Sequence, residues 1–234
     1  KRKIAIIVTT PMAVRVFLAH QVNSLTEIYN VSIITNMKDK DDFLNNISEN
    51  VNIISLPIKR EISLFYDLYV LISLIVLLHK NKFSLVHSVS PKAGLLTAIS
   101  AWIVRVPNRL HTFTGQVWAT QKGTKRLILK SLDKLIVALN TKILVDSISQ
   151  KEFLIKEKLL FEENSFVLGN GSLSGVDIQR FKPSKKEREK IRKNLKIPFN
   201  SMIFLFLGRI KKDKGIFELA EAFRNISNNN NNVY

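Results

Sequence analysis

Short runs of aliphatic residues recur along this chain, separated by stretches with helical spacing, and no other feature restricts its fold so tightly. Residues 4–8, 31–35, 51–56, 84–87, 109–113, 143–145, 166–168 and 203–207 read as strands. Most are nearly continuous apolar runs, without the alternation of a half-exposed sheet. Strands covered on both faces have this pattern. Helical patterns fill residues 13–28, 62–80, 92–104, 122–139, 149–159, 185–195 and 215–226. Strand alternating with helix builds βαβ crossovers, so the fold class is α/β with a doubly wound, parallel, Rossmann-like sheet.

The composition shifts near Phe181-Lys182-Pro183. A charged helix follows, then Ile197-Pro198 and a fresh apolar run. The expected organisation is one domain over residues 1–182, a linker helix over 183–200, and the first strand–loop–helix of a second domain over 201–234. That second unit is too short to build a sheet alone. A chain that opens on Lys1 and stops soon after the Asn228–Asn232 run is expected to be a piece of a longer protein. Residues 62–79 carry one charge, Asp67, and are flanked by Lys59, Arg60, Lys80 and Lys82. Eighteen residues is the short end for a membrane span, and a strand follows almost at once. A covered or membrane-touching helix is the expectation.

Thirty-six Lys and Arg against 19 Asp and Glu leave a net charge of +17, and there is no Cys. Disulfides, thiolate metal sites and cysteine nucleophiles are excluded. The excess charge attracts phosphate. It is spread along the chain, with eight basic and two acidic residues from Lys182 to Lys196 and six against one from Lys122 to Lys142. No zinc-finger spacing, RNP-like strand or basic zipper accompanies it, so nucleic acid is not the expected partner and an anionic membrane surface is. Asp39-Lys40-Asp41 has the outline of a metal-binding Asp-x-Asp but reads as a solvated turn. Gly169, Gly171 and Gly175 mimic a dinucleotide fingerprint without the helix that motif must open. The four His show no metal-ligand spacing, so no metal site is expected.

The stretch that carries chemistry is IFLFLGRIKKDKGIFELA, residues 203–220. An apolar strand ends at Gly208, Arg209 and Lys214 bracket a short polar loop, and Gly215 opens a helix. A planar guanidinium, a flexible ammonium and a helix N-terminus converging on one point suit a diphosphate. A basic solvated turn is the plainer alternative.

Through these residues the chain resembles the group 1 (family 4 type) retaining glycosyltransferases of the GT-B fold. FLGRIKKDKG with FELAEAF is similar to the opening of their donor domain. VTTPMAVRVFLAHQVNSL, HSVSPKAGLLTAISAWIVRVPNRLHTFTGQVW, KILVDSISQKEFL and VLGNGSLSGVDIQRFKP follow their acceptor domain in order. HTFTGQVW and GSLSGVD resemble the capsular and O-antigen polysaccharide enzymes of bacteria. The resemblance implies transfer of a hexosyl or N-acetylhexosaminyl group from a nucleotide diphosphate sugar, a UDP-sugar foremost, with retained configuration and no metal or other cofactor. It assigns Gly208, Arg209, Lys214 and Gly215 to the donor diphosphate. It places Pro11, Ser90, Pro91, Lys92, Gly94, Thr114, Gly115 and Gln116 at the acceptor cleft, with Lys92 suited to a lipid-linked phosphate. The implied acceptor is a polyprenyl-linked glycan, and the implied location is the cytoplasmic face of the cell membrane. Many relatives carry a His where this chain has Thr114, and His111 reads as a structural strand residue, so no catalytic residue is assigned. A nucleotide-sugar epimerase of similar fold is one rival, though the loops lack its acid–His pair. A non-catalytic membrane-surface module is the other.

Overall fold

A computed structural model of the chain describes residues 1–37, 46–59, 61–230 and 232–234. The Asp39-Lys40-Asp41 turn lies outside the described residues. The chain divides into two units, Lys1–Gly175 and Val176–Tyr234.

The first unit is built on seven parallel strands, β1 (Lys3–Val8), β2 (Asn30–Thr35), β3 (Asn52–Ser55), β4 (Leu85–Val89), β5 (Asn108–Phe113), β6 (Lys142–Val145) and β7 (Ser165–Val167). Their order across the sheet is β3-β2-β1-β4-β5-β6-β7. The expected parallel, Rossmann-like architecture is therefore the observed one. β1 shows why its sequence is apolar throughout. Ala5 and Ile7 join Ile34 and Val86 under one helical layer, while Ile4, Ile6 and Val8 join Val31 and Ile33 under the other. Successive side chains point to opposite faces, and here both faces are dry.

One layer holds α3 (Leu64–Asn81) and α4 (Pro91–Ile103), which bury Val70, Leu74 and Leu78 with Ala93 and Leu96. The other holds α1 (Pro11–Ala13), a π-helical turn (Val14–Leu18) and α2 (Ala19–Thr26), which bury Val14, Leu18 and Val22. The single helix expected over 13–28 is thus interrupted by a wider turn, a feature that recurs near functional sites. A third core joins Phe113, Trp118, Ile143 and Val145 to α5 (Gly123–Leu139) and α6 (Ile148–Lys156).

Of residues 62–79, those from Leu64 on fall on α3, whose buried stripe packs in the first unit and after which β4 enters the sheet directly. The opposite stripe is apolar and open: Phe65 is 92% exposed, and Leu68, Tyr69, Ile72 and Val76 share its face.

The second unit contains α7 (Lys185–Asn194) and α8 (Ile216–Asn229). Arg192 of the basic α7 is buried and donates to the carbonyls of Pro198, Phe199 and Ser201. The strand expected over 203–207 does not form a ladder. Met202 makes one parallel bridge to Val233, the Phe204 amide reaches the Tyr234 carbonyl, and Leu205 and Leu207 stand 85% and 94% exposed. A strand is stable through its partner, and a one-residue bridge supplies almost none.

Candidate functional site

The sheet order reverses between β1 and β4, whose carboxyl ends are therefore the switch point where open α/β sheets bind ligands. Thr9 follows β1 and Ser90 follows β4, and their hydroxyl oxygens lie 2.7 Å apart. Each leads into a helix with Pro at its first position, Pro11 on α1 and Pro91 on α4. Proline is pre-set for that position and gives up no hydrogen bond there. Ser90 adopts φ 83°, ψ 147°, a conformation that L side chains rarely take and that persists only where the surroundings impose it.

Lys92, one position into α4, does not stand free. Its ammonium lies 2.6 Å from Asp67 in the first turn of α3 and also donates to the Glu61 carbonyl. Asp67 in turn accepts from the Ser63 amide, so a single carboxylate caps α3 and anchors Lys92. Gly94 faces inward: a Cβ there would come within 2.4 Å of the His111 ring. Packing against His111 therefore demands the glycine.

The loop after β5 leaves the same carboxyl edge, one strand beyond β4. Thr114 and Gly115 are exposed, and Gly115 adopts φ 144°. Gln116 accepts from the Gln150 amide at 3.3 Å, and the other Gln150 atom accepts from the Asp146 backbone at 2.7 Å. That ties the β5 loop to the carboxyl end of β6. Trp118 fixes the loop from below. It is fully buried, donates to Asp133 at 2.7 Å, stacks on Phe153 and receives Arg126 and Lys130 over its ring. Both cations also hold Glu157, at 2.8 and 2.6 Å. Burial pushes the Asp133 carboxyl up to about 6, partly opposed by the Trp118 hydrogen bond.

Two histidines stand inside the sheet. His87 pairs with Thr112 at 2.8 Å, and His111 pairs with Ser88 at 2.9 Å. Burial lowers His87 to about 4. Burial, with the nearby His87, lowers His111 to about 3. Both are neutral imidazoles near neutral pH, and His111 is a buried strand residue. Beside His87 lies a cavity of about 240 Å³, lined by Gln21, Thr112, Asp146, Leu168, Ser172 and Leu173 among others. Burial also raises the Asp146 carboxyl. Sequence reasoning passed over this cavity. Its only sign in the sequence is the polar content of two central strands, His87 beside Ser88 on β4 and His111 beside Thr112 on β5.

Gly208, Arg209, Lys214 and Gly215 belong to the second unit. Arg209 and Lys214 are exposed. Residues Lys212–Lys214 form a 3₁₀ turn that ends at Gly215, whose φ of 70° is the left-handed conformation glycine adopts without strain. α8 starts at the next residue with no side chain capping its amides. The Gly-rich stretch at 169–175 is a turn with no helix after it before α7.

Residues 3–147 match the family described as glycosyl transferase 4-like. Among curated proteins, a capsular polysaccharide biosynthesis glycosyltransferase of Staphylococcus aureus is 38% identical over 76% of this chain and 46% of its own length. A UDP-Gal:alpha-D-GlcNAc-diphosphoundecaprenol alpha-1,3-galactosyltransferase of Escherichia coli is 31% identical over 82% of this chain and 49% of its own. The chain therefore spans about half the length of these relatives. An Anabaena protein crystallised with UDP and glucose has the same fold, with a TM-score of 0.69 at 15% identity over 95% of this chain and 57% of that one. The match over most of the seven-stranded unit makes this chain a member of the glycosyl transferase 4-like family.

Proposed function

We propose that the protein of which this chain is part transfers a sugar from a nucleotide diphosphate sugar, a UDP-sugar foremost, to a polyprenyl-linked glycan during bacterial surface-polysaccharide synthesis. The observation that carries this reading is the pair of polar turns after β1 and β4, joined by Thr9 and Ser90 at the switch point of a sheet in this family. The names of the two sequence relatives agree with it, and both are transferases rather than epimerases. Arg209 and Lys214, with the open amides of α8, would neutralise charge developing on the leaving diphosphate as the glycosidic bond breaks. The transferred group would be hexosyl or N-acetylhexosaminyl, its configuration retained, with no metal required. The test is transfer by the full-length protein. Arg209→Ala or Lys214→Ala should lower kcat/KM at least about tenfold, the scale of one lost charge-assisted contact. Unchanged rates would remove the diphosphate role. Activity that persists in EDTA, and NMR showing the donor's anomeric configuration in the product, would support the remaining assignments.

The same reading places the protein at the cytoplasmic face of the membrane. What supports this is the open apolar stripe of α3, continued at its start by Ile62, which is 78% exposed, together with the net charge of +17. Apolar area enters the headgroup boundary while cations meet anionic lipid. Co-sedimentation with vesicles should rise with anionic lipid content and fall for Phe65→Glu. Binding indifferent to both would argue against membrane docking.

A further inference from the structure

The cavity beside His87 lies wholly within the first unit, and none of its lining residues belongs to the turns at Ser90 and Thr114 or to the Arg209–Lys214 loop. Its floor is polar: the His87–Thr112 pair, and Gln21 on α2, whose side-chain oxygen is buried without a partner. Its walls include the apolar Leu144, Leu168 and Leu173, and its rim carries Asp146. The rim is held open by backbone geometry. Ser172, at φ 68°, donates its amide to the Asp146 carbonyl at 2.6 Å, and at Gly171 a Cβ would strike that carbonyl at 2.4 Å.

Charge decides what such a cavity accepts. No Lys or Arg lines it, and a carboxylate does, so it repels phosphate. Neutral hydrogen-bonding groups set among leucines match a ligand with hydroxyls at its edge and C–H faces above and below. At about 30 Å³ per water the volume equals about eight waters, enough for one monosaccharide and too little for a nucleotide. A buried amide oxygen without a partner costs stability until a donor arrives, and a sugar hydroxyl is such a donor.

We infer that the cavity between α2, β4, β5 and the loop after β7 binds one sugar ring of the glycan acceptor, whose hydroxyls bond to Gln21, Thr112 and Asp146. The inference rests on the glycosyl-transfer reading. It separates two parts of the acceptor, because the diphosphate must be held elsewhere and only the ring enters this cavity.

Saturation-transfer NMR on this chain tests it, with GlcNAc-α-diphosphate on a short alkyl chain as probe and inorganic pyrophosphate as a second arm. The wild-type chain should saturate the sugar-ring protons. Thr112→Val and Gln21→Met, each close in shape to the original, should weaken the probe's Kd at least about tenfold while leaving pyrophosphate binding unchanged. Gln21 is only partly buried and sits on a helix that tolerates Met, so that variant decides alone if Thr112→Val fails to fold. Equal affinity in wild type and both variants would overturn the cavity assignment and leave the acceptor reading standing. A wild-type chain that binds no sugar would likewise overturn the cavity assignment, while transfer by the full-length protein separately decides the acceptor reading.

Discussion

His87 and His111 lie on adjacent strands, each buried and each paired with one hydroxyl, yet they look out from opposite faces of the sheet. His111 and Ser88 point toward α4, where Gly94 and Phe113 close on the ring; Phe113 meets it edge-on at 4.6 Å between centroids. His87 and Thr112 point toward α2 and border an open volume of about 240 Å³. The chemistry is the same on both faces and the packing is opposite. A buried imidazole alone therefore says nothing about function. What sets the His87 face apart is the space beside it, an unfilled hydrogen-bonding oxygen on Gln21 and a carboxylate at the mouth.

The largest effect that tests this comparison comes from acid, which should act on both faces. His87 titrates near 4 and His111 near 3 in the folded chain, against 6.5 when unfolded. The unfolded state thus takes up protons first, so their contribution is complete above pH 6.5 and is lost as pH falls through the folded values. By about pH 4.5 each has given up on the order of 2–3 kcal/mol. Asp133 acts in the other direction. Its folded value near 6 exceeds its unfolded 3.8, so its contribution is full below 3.8 and is lost as pH rises to 6. Acidification therefore returns about 2 kcal/mol from Asp133, leaving a net loss of order 3 kcal/mol from these three groups. The raised Asp146 acts in the same direction as Asp133 and the lowered Glu157 against it. Urea denaturation at pH 7 and about 4.5 measures it. A flat profile would mean that water reaches one of the rings.

Next in size is Gly94→Ala, which probes the filled face. Alanine is the better helix former by about 1 kcal/mol, but the new methyl would meet the His111 ring at 2.4 Å. Overpacking in a closed core costs about 1–3 kcal/mol and should win. Thermal melting decides the sign. A stabilised variant would show that the His111 ring swings aside, and that this face has slack as well.

Much of this was legible in the sequence. Strands covered on both faces show up as unbroken apolar runs, so the seven strands of the sheet could be read locally, as could the turns at Ser90 and Thr114 that end two of them. Where the reading failed, the deciding partner was distant. Residues 203–207 look like any other strand of the chain, but a strand needs a neighbour, and Val233 supplies one bridge. Nor does the sequence show that Asp67 and Glu61, in a different helix and loop, hold the Lys92 ammonium. The cavity left the weakest trace. His87 and Thr112 look no different from their polar neighbours until the register of β4 and β5, which sets Thr112 beside Val89, brings them within hydrogen-bonding reach on one face.

The finest test deletes one hydroxyl from each face. Ser88→Ala removes the partner of His111 in a site that is otherwise sealed, with Ser88 fully buried. A buried nitrogen left unsatisfied costs about 1–3 kcal/mol. Thr112→Val removes the partner of His87 in the same way, but there the open volume offers water a place to substitute. Its cost should stay below about 1 kcal/mol, because the group is resolvated rather than orphaned. Parallel urea titrations of the two variants measure the difference directly. Equal costs would mean that the His87 face is as dry as its counterpart, and that its open volume is a packing fault rather than a place for a polar ligand.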